Sequence, residues 1–280
     1  MAGSNAGMRA LWARAAQQGV MVLKLGLLGL CLSALLGCGA AGDGGGEADA
    51  STSGDETATS STAASADATT ADGGATAATN ATRNVLVLGD SLSAAYNLAA
   101  EQGWVALLDA RMREQGTGFR MVNASISGET TAGGASRIDA ALAEHRPAIV
   151  VIALGANDGL RGLPLEETRA NLERMVRASE AAGAEVLLMG MRLPPNYGPE
   201  YTENFFAMFG EIAGSEGTAH LPFLLEPIAF DDQAFQADRL HPTAEAQPVL
   251  ADHVWAELAP LLARHDTAAA ASAGAATPPG

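Results

Sequence analysis

The chain has 280 residues, with 16 Lys and Arg against 32 Asp and Glu, for a net charge of −16. A surface of that sign repels nucleic acid, which excludes a nucleic-acid partner. Its only cysteines, Cys31 and Cys38, lie near the N-terminus, so everything beyond them lacks a thiolate for a disulfide, a nucleophile or a metal.

In chain order, Arg9, Arg14 and Lys24 precede the apolar run LGLLGLCLSALLGC, Leu25 to Cys38. That run falls short of the ~20 residues that span a bilayer, and it ends in small residues. Residues 1–38 are therefore read as an export signal of a bacterial envelope protein. The ending Leu35-Leu36-Gly37-Cys38 resembles a lipobox, which makes Cys38 the lipidated residue and the anchor to a membrane. Ordinary signal cleavage nearby is the alternative. Gly39 after the cysteine fits sorting to an outer membrane, with the domain facing the periplasm. Residues 39–82 are almost entirely Ala, Gly, Ser, Thr and Asp. They hold too little apolar surface to offset the entropy of ordering, so they are expected to form a disordered tether. The folded domain is expected at 83–266, and the Ala-rich residues 267–280 as a disordered tail.

Inside the domain, strand and helix patterns alternate. Val85–Leu88 is a short apolar run suited to a strand buried on both faces. Helical spacing follows near Gln102–Gln115, then a strand at Phe119–Ile126 and a helix at Ala135–His145 stopped by Pro147. Ala148–Leu154 is the third strand. Leu165–Ala182 is a helix ended by Gly183, and Glu185–Met191 the fourth strand. Glu200–Gly214 is helical, Leu221–Leu225 a fifth strand, and Thr243–Arg264 a closing helix. This alternation predicts a three-layer α/β/α fold with a five-stranded parallel sheet of flavodoxin-like order 2-1-3-4-5. Ligands in such sheets bind beyond the carboxyl ends of the strands.

Polar residues gather at those ends. Gly89-Asp90-Ser91-Leu92 follows the first strand, Ser127-Gly128-Glu129-Thr130 the second and Gly155-Ala156-Asn157-Asp158-Gly159 the third. Asp238-Arg239-Leu240-His241-Pro242 precedes the last helix. Taken alone, Ser91 reads as a helix N-cap or a nucleophile, and His241 as a capping residue or a base. Together they hold the parts for acyl transfer. A serine hydroxyl needs a base to take its proton, and His241 can serve. Asp238, three residues earlier, can reach the imidazole and fix its tautomer. The Ser91 and Gly128 amides and the Asn157 carboxamide can converge on a developing oxyanion. Asp90 and Asp158 are read as bracing loops. The remaining histidines lack a partner set, so no metal and no cofactor is expected.

These four stretches resemble the four blocks of the SGNH (GDSL-type) hydrolases. The fuller stretches LGDSLSAAYNL, VNASISGETT, GANDGLRGLP, MRLPPNYGPEY and HPTAEAQP are similar to the acyl-CoA thioesterase I, lysophospholipase and arylesterase branch, over nearly all of residues 83–266. The resemblance implies Ser91 as nucleophile, Asp238 and His241 as its triad partners, and Ser91, Gly128 and Asn157 as oxyanion donors. It implies a metal-free esterase of aryl esters, acyl thioesters and lysophospholipids. Alternatives are a carbohydrate or cell-envelope O-deacetylase of the same fold, or a non-catalytic envelope-binding lipoprotein. Loops carrying Leu160, Leu163, Leu193 and Pro194 are expected to flank the site as an acyl groove, or else to pack beneath it. The partners expected are a small acyl substrate and the membrane, with the protein a monomer.

Overall fold

The computed structural model describes residues 82–275. The expected export signal with its Cys38 anchor, the tether up to residue 81 and residues 276–280 lie outside the described residues.

Five parallel strands form one sheet in the order β2-β1-β3-β4-β5, as the alternation predicts. β1, Arg83–Gly89, and β3, Ile149–Ala153, are central, and both are apolar on both faces. Every residue of β3 is buried, and β1 is buried from Val85 onward. β2, Phe119–Asn123, is an edge strand whose buried and exposed residues nearly alternate. Two amides past its end still bond to β1, Ala124 to the Val87 carbonyl at 2.9 Å and Ile126 to that of Gly89 at 3.0 Å. β2 thus hands the chain along β1 to the site, over the stretch the sequence pattern read as strand. β4 is Glu185–Met189.

β5 is Ala219–Leu221, earlier than the expected Leu221–Leu225. Pro222 lacks the N–H that a further ladder bond needs, so the ladder stops there. Phe223 and Leu224 are buried all the same, in a turn where the Leu224 amide bonds to the Gly190 carbonyl at 3.2 Å. Their apolarity marks a buried turn and not a strand.

Helix α1, Trp104–Glu114, and helix α6, Gln247–Ala275, pack together. Helix α2, Thr131–His145, packs on α4, Leu165–Ala181, which packs on α5, Pro199–Glu216. A single turn of helix, α3, Ala156–Leu160, follows β3 where the sequence pattern predicts none. Thr130 caps α2, and Arg146 ends it in the left-handed region at φ 40° just before Pro147. α6 begins at Gln247, past the expected Thr243, because residues 244–246 form a turn. It runs on to Ala275, through residues expected to belong to a disordered tail. Alanine has the highest intrinsic helix propensity, and that suffices to prolong a helix already nucleated by packing.

The core is close-packed aliphatic side chains with Trp104, Phe205 and Phe209 fully buried. Trp104 also ties three elements together. Its amide donates to Gln247 Oε1 at the start of α6 at 2.9 Å. Its indole N–H donates to the Leu92 carbonyl at 3.1 Å, which fixes the loop that carries Ser91.

Candidate active site

Ser91 stands just past the carboxyl end of β1. The chain turns there because the Ser93 and Ala94 amides both bond back to the Asp90 carbonyl, at 3.1 and 3.0 Å. A Cβ at Gly89 would lie 2.7 Å from Ser93 Oγ, so only glycine permits the turn. Residues 91–97 form successive turns and no regular helix, with Ala95 and Asn97 at φ 55° and 57°. Ser91 therefore caps no helix. Its hydroxyl donates to His241 Nε2 at 2.8 Å.

His241 is held from the other side. Its Nδ1–H donates to Asp238 Oδ2 at 2.7 Å. The second oxygen of Asp238 accepts the amides of Leu240 at 2.9 Å and His241 at 3.0 Å. The three-residue spacing thus works through a tight turn in which Arg239 takes φ 58°. Partial burial raises the Asp238 pKa. The amides of His241 and Leu240 and the imidazole outweigh it and hold the carboxyl below its ordinary value. Gln236 closes the loop: its side chain donates to the carbonyls of Tyr96 and Pro242, each at 3.0 Å. Tyr96 lies on the imidazole with ring centroids 4.3 Å apart.

The expected oxyanion groups are held by turns and by hydrogen bonds, and of them Ser91 and Asn157, but not Gly128, line the pocket. Gly128 is the third residue of a turn closed by the Glu129 amide on the Ile126 carbonyl at 3.1 Å, and its φ of 80° favours glycine. Arg161 Nη2 donates to the Gly128 carbonyl at 2.9 Å, and Glu129 is paired with Arg137. Among the described residues, neither the Ser91 nor the Gly128 amide donates to a protein acceptor. Asn157 lines the pocket with Ser91 and His241. Its carboxamide N–H donates to Asp90 Oδ2 at 3.2 Å, which orients the group and leaves its other N–H free of protein partners.

The two neighbouring aspartates are braces, as the sequence suggests. Asp90 accepts the Leu92 amide at 3.0 Å besides Asn157. Burial raises its pKa to about 6, against the pull of those hydrogen bonds and of His241. Asp158 is buried and accepts both the amide and the hydroxyl of Thr131, at 2.9 and 2.6 Å. That pins the start of α2 to α3.

A groove of about 270 Å³ opens from Ser91 and His241. Leu160, Leu193 and Pro194 line it, as the acyl-groove reading expects. Leu163 does not: it is half-buried and absent from the lining, and its carbonyl accepts the Tyr201 hydroxyl at 2.8 Å. Much of the apolar wall carries no local signal in the sequence: it comes from Met191, Phe223, Phe230, Phe235 and Leu240. These residues sit in separate irregular segments that share no period, so only the closing of the loops brings them together. Among the described residues no group of His, Cys, Asp or Glu side chains gathers as a metal site.

The profile of the GDSL-like Lipase/Acylhydrolase family matches residues 87–248. Esterase TesA of Pseudomonas aeruginosa is 51% identical over 182 residues, covering 65% of this chain and 90% of that protein. The Escherichia coli K12 protein named thioesterase 1/protease 1/lysophospholipase L1 is 41% identical over 187 residues, covering 67% of this chain and 88% of its own. The crystal structure of TesA superposes with a TM-score of 0.62 at 51% identity, covering 64% of this chain and 99% of that one.

Proposed function

The chain belongs to the GDSL-like Lipase/Acylhydrolase family, the SGNH hydrolases, in the branch of TesA and thioesterase 1, and is an ester-bond hydrolase; we propose that it works as a serine esterase through an acyl-enzyme on Ser91. The observation that carries this reading is the unbroken relay from the Ser91 hydroxyl through both nitrogens of His241 to Asp238, at 2.8 and 2.7 Å.

In the proposed cycle the Ser91 oxygen attacks the acyl carbon while its proton passes to His241 Nε2. Asp238 keeps the other proton on Nδ1 and stabilises the imidazolium that forms. The negative oxygen of the tetrahedral intermediate is met by the Ser91 and Gly128 amides and by the Asn157 carboxamide. Collapse expels the leaving alcohol or thiol, which takes the proton from Nε2. Water then repeats the sequence, with His241 as base, and frees the acid. No cofactor or metal enters.

We assign the substrates as aryl esters, acyl thioesters and lysophospholipids. The apolar wall of the groove supports a fatty acyl chain, with Leu160, Leu193 and Pro194 among its contacts. That wall offers an acetylated sugar few partners for its hydroxyls, which disfavours the deacetylase reading. We further propose that the protein is exported and anchored through a lipidated Cys38 to the outer membrane, facing the periplasm, on the strength of the sequence of its first 38 residues.

The test is covalent. A fluorophosphonate should label the wild-type chain at one residue, found as Ser91 by peptide mass spectrometry, and Ser91→Ala should neither label nor turn over p-nitrophenyl esters. Full turnover by Ser91→Ala would remove the proposal.

A further inference from the structure

The mouth of the groove collects side chains that a protein surface usually buries or pairs. Among the described residues, the large apolar side chains left well exposed are Tyr96, Ile126, Phe230, Leu240 and Val249, from 40% to 52%. One such residue is unremarkable on any surface. Here all but Val249 belong to the groove or to the loops that carry the site residues. Phe230 and Leu240 line the groove, Tyr96 lies on His241, and Ile126 leads into the Gly128 turn.

The cations show the same bias. Most described arginines are paired with a carboxylate. Arg161, Arg192 and Arg239 have no such ion pair among the described residues, although the chain carries twice as many acidic as basic residues. Arg192 and Arg239 line the groove, and Arg161 touches the Gly128 carbonyl. The other unpaired arginines, Arg120 and Arg146, stand near the amino ends of β2 and β3. Arg192 lies over the Phe206 ring at 3.5 Å, which supports its stem and leaves the guanidinium edge unclaimed. The rim is not free of acid: Asp232 lines the groove, and Glu226 acts on Arg192 through space.

We propose that this rim is a docking face for an anionic phospholipid bilayer. Tyr96, Ile126, Phe230 and Leu240 enter the boundary between headgroups and acyl chains, and Arg192 and Arg239 pair with lipid phosphates. Each half needs the other. A chain of net charge −16 is repelled by an anionic surface at long range, so the local guanidinium–phosphate pairs and the apolar insertion must act together. No described helix is long and apolar enough to cross a membrane, so this contact lies in the plane of the interface. It deepens the esterase reading by naming where the substrate comes from: a lipid leaves the bilayer straight into the groove, with no passage through water.

The test uses the full chain with Cys38→Ser, which removes the anchor, and Ser91→Ala, which makes the outcome independent of hydrolysis. Phe230→Trp places an indole reporter on the face, and Gln115→Trp, beyond the far end of α1, is its comparator. Vesicles of brominated phosphatidylcholine and phosphatidylglycerol at four to one should quench the reporter of Phe230→Trp several-fold more than that of Gln115→Trp. The leader is the same in both chains, so only the orientation of the domain separates them. Arg192→Ala with Arg239→Ala should weaken vesicle binding about tenfold or more, and pure phosphatidylcholine should act like that loss. Equal quenching of the two reporters overturns the proposal. So does a double arginine variant that binds vesicles normally but shows a raised KM, in a Ser91 background, for a monomeric phosphate-bearing ester. That result would make the pair a reader of the leaving group.

Discussion

The two ends of the sheet are built by different rules. At the amino ends most charged groups are paired, although Arg120 and Arg146 are not. Arg83 meets Asp266 and lies over the Phe119 ring at 3.9 Å, while Arg264 bonds to Glu185 at 2.6 Å. The single left-handed non-glycine residue there, Arg146, is a helix cap. At the carboxyl ends lie Ala95, Asn97 and Arg239, all with positive φ, in the two loops that hold Ser91 and His241. There too lie a buried carboxylate with a raised pKa, arginines without ion pairs and the exposed apolar rim. Strain and unpaired polarity are stability costs, and they concentrate where the proposed chemistry is. The amino ends and the core between supply the stability that makes this possible.

This contrast predicts that removing the reacting groups Ser91 and Asn157 changes rate with little change in stability, and that substitutions at the amino ends leave the rate unchanged. The largest effect is that of Ser91→Ala, which should lower kcat for an aryl ester by about 10⁴-fold or more. Its thermal midpoint should stay close to that of wild type, since the hydroxyl has one partner and little burial to lose. A large drop in that midpoint would show Ser91 to be structural. Next comes Asn157→Ala. Losing one oxyanion donor should lower kcat by about 10²–10³-fold with KM nearly unchanged. An effect confined to KM would place Asn157 on the ground-state substrate.

How much of this was legible before folding differs between the same two parts. β1, β3 and β4 announce themselves because central parallel strands must be apolar on both faces, and Val85–Leu88 and Ala148–Leu154 are so. The polar stretches after the first three strands and before the last helix are legible because the fold places ligand loops beyond the carboxyl ends of its strands. β5 differs from its expected place because Leu221–Leu225 is apolar for packing, and periodicity cannot separate a buried turn from a short strand. α3 has only five residues and contains Asn157, Asp158 and Gly159, which read as a turn. The groove wall was the least legible part. Met191, Phe223, Phe230 and Leu240 come from separate loops, and their meeting is a property of the closed chain and not of any segment.

A third, smaller effect separates the two carboxylates of the site. Asp90 keeps its proton up to about pH 6 because it is buried, whereas the ordinary value is 3.8. Between those values the folded state binds more protons than the unfolded one. Asp90 therefore makes stability fall as pH rises through that window, by about 3 kcal/mol in all. Asp238 has the opposite sign: its folded pKa is lowered, so its contribution is present above the unfolded value and is lost as pH falls through the folded one. Denaturant unfolding of Asp90→Asn from pH 4 to pH 7 should show that downward slope removed, with Asp238→Asn leaving it in place. An unchanged slope in Asp90→Asn would show that Asp90 ionises as freely in the fold as outside it.

The smallest effect is expected at the amino ends, and it is the control for the rest. Arg83 is more than a quarter exposed, and its partner Asp266 is about half exposed. Water and salt screen such a pair, so the coupling between the two charges should be at most about 1 kcal/mol. The guanidinium over Phe119 adds about 0.5–1 kcal/mol of its own. Arg83→Ala should thus lose more stability than Asp266→Asn, and the double variant should lose about as much as Arg83→Ala alone if the ring contact dominates. All three should keep the wild-type kcat/KM for a p-nitrophenyl ester, because β1 separates the pair from Ser91 by its whole length. A tenfold loss of kcat/KM in Arg83→Ala at unchanged stability would mean that the two ends communicate through β1, and the division of labour between them would fail.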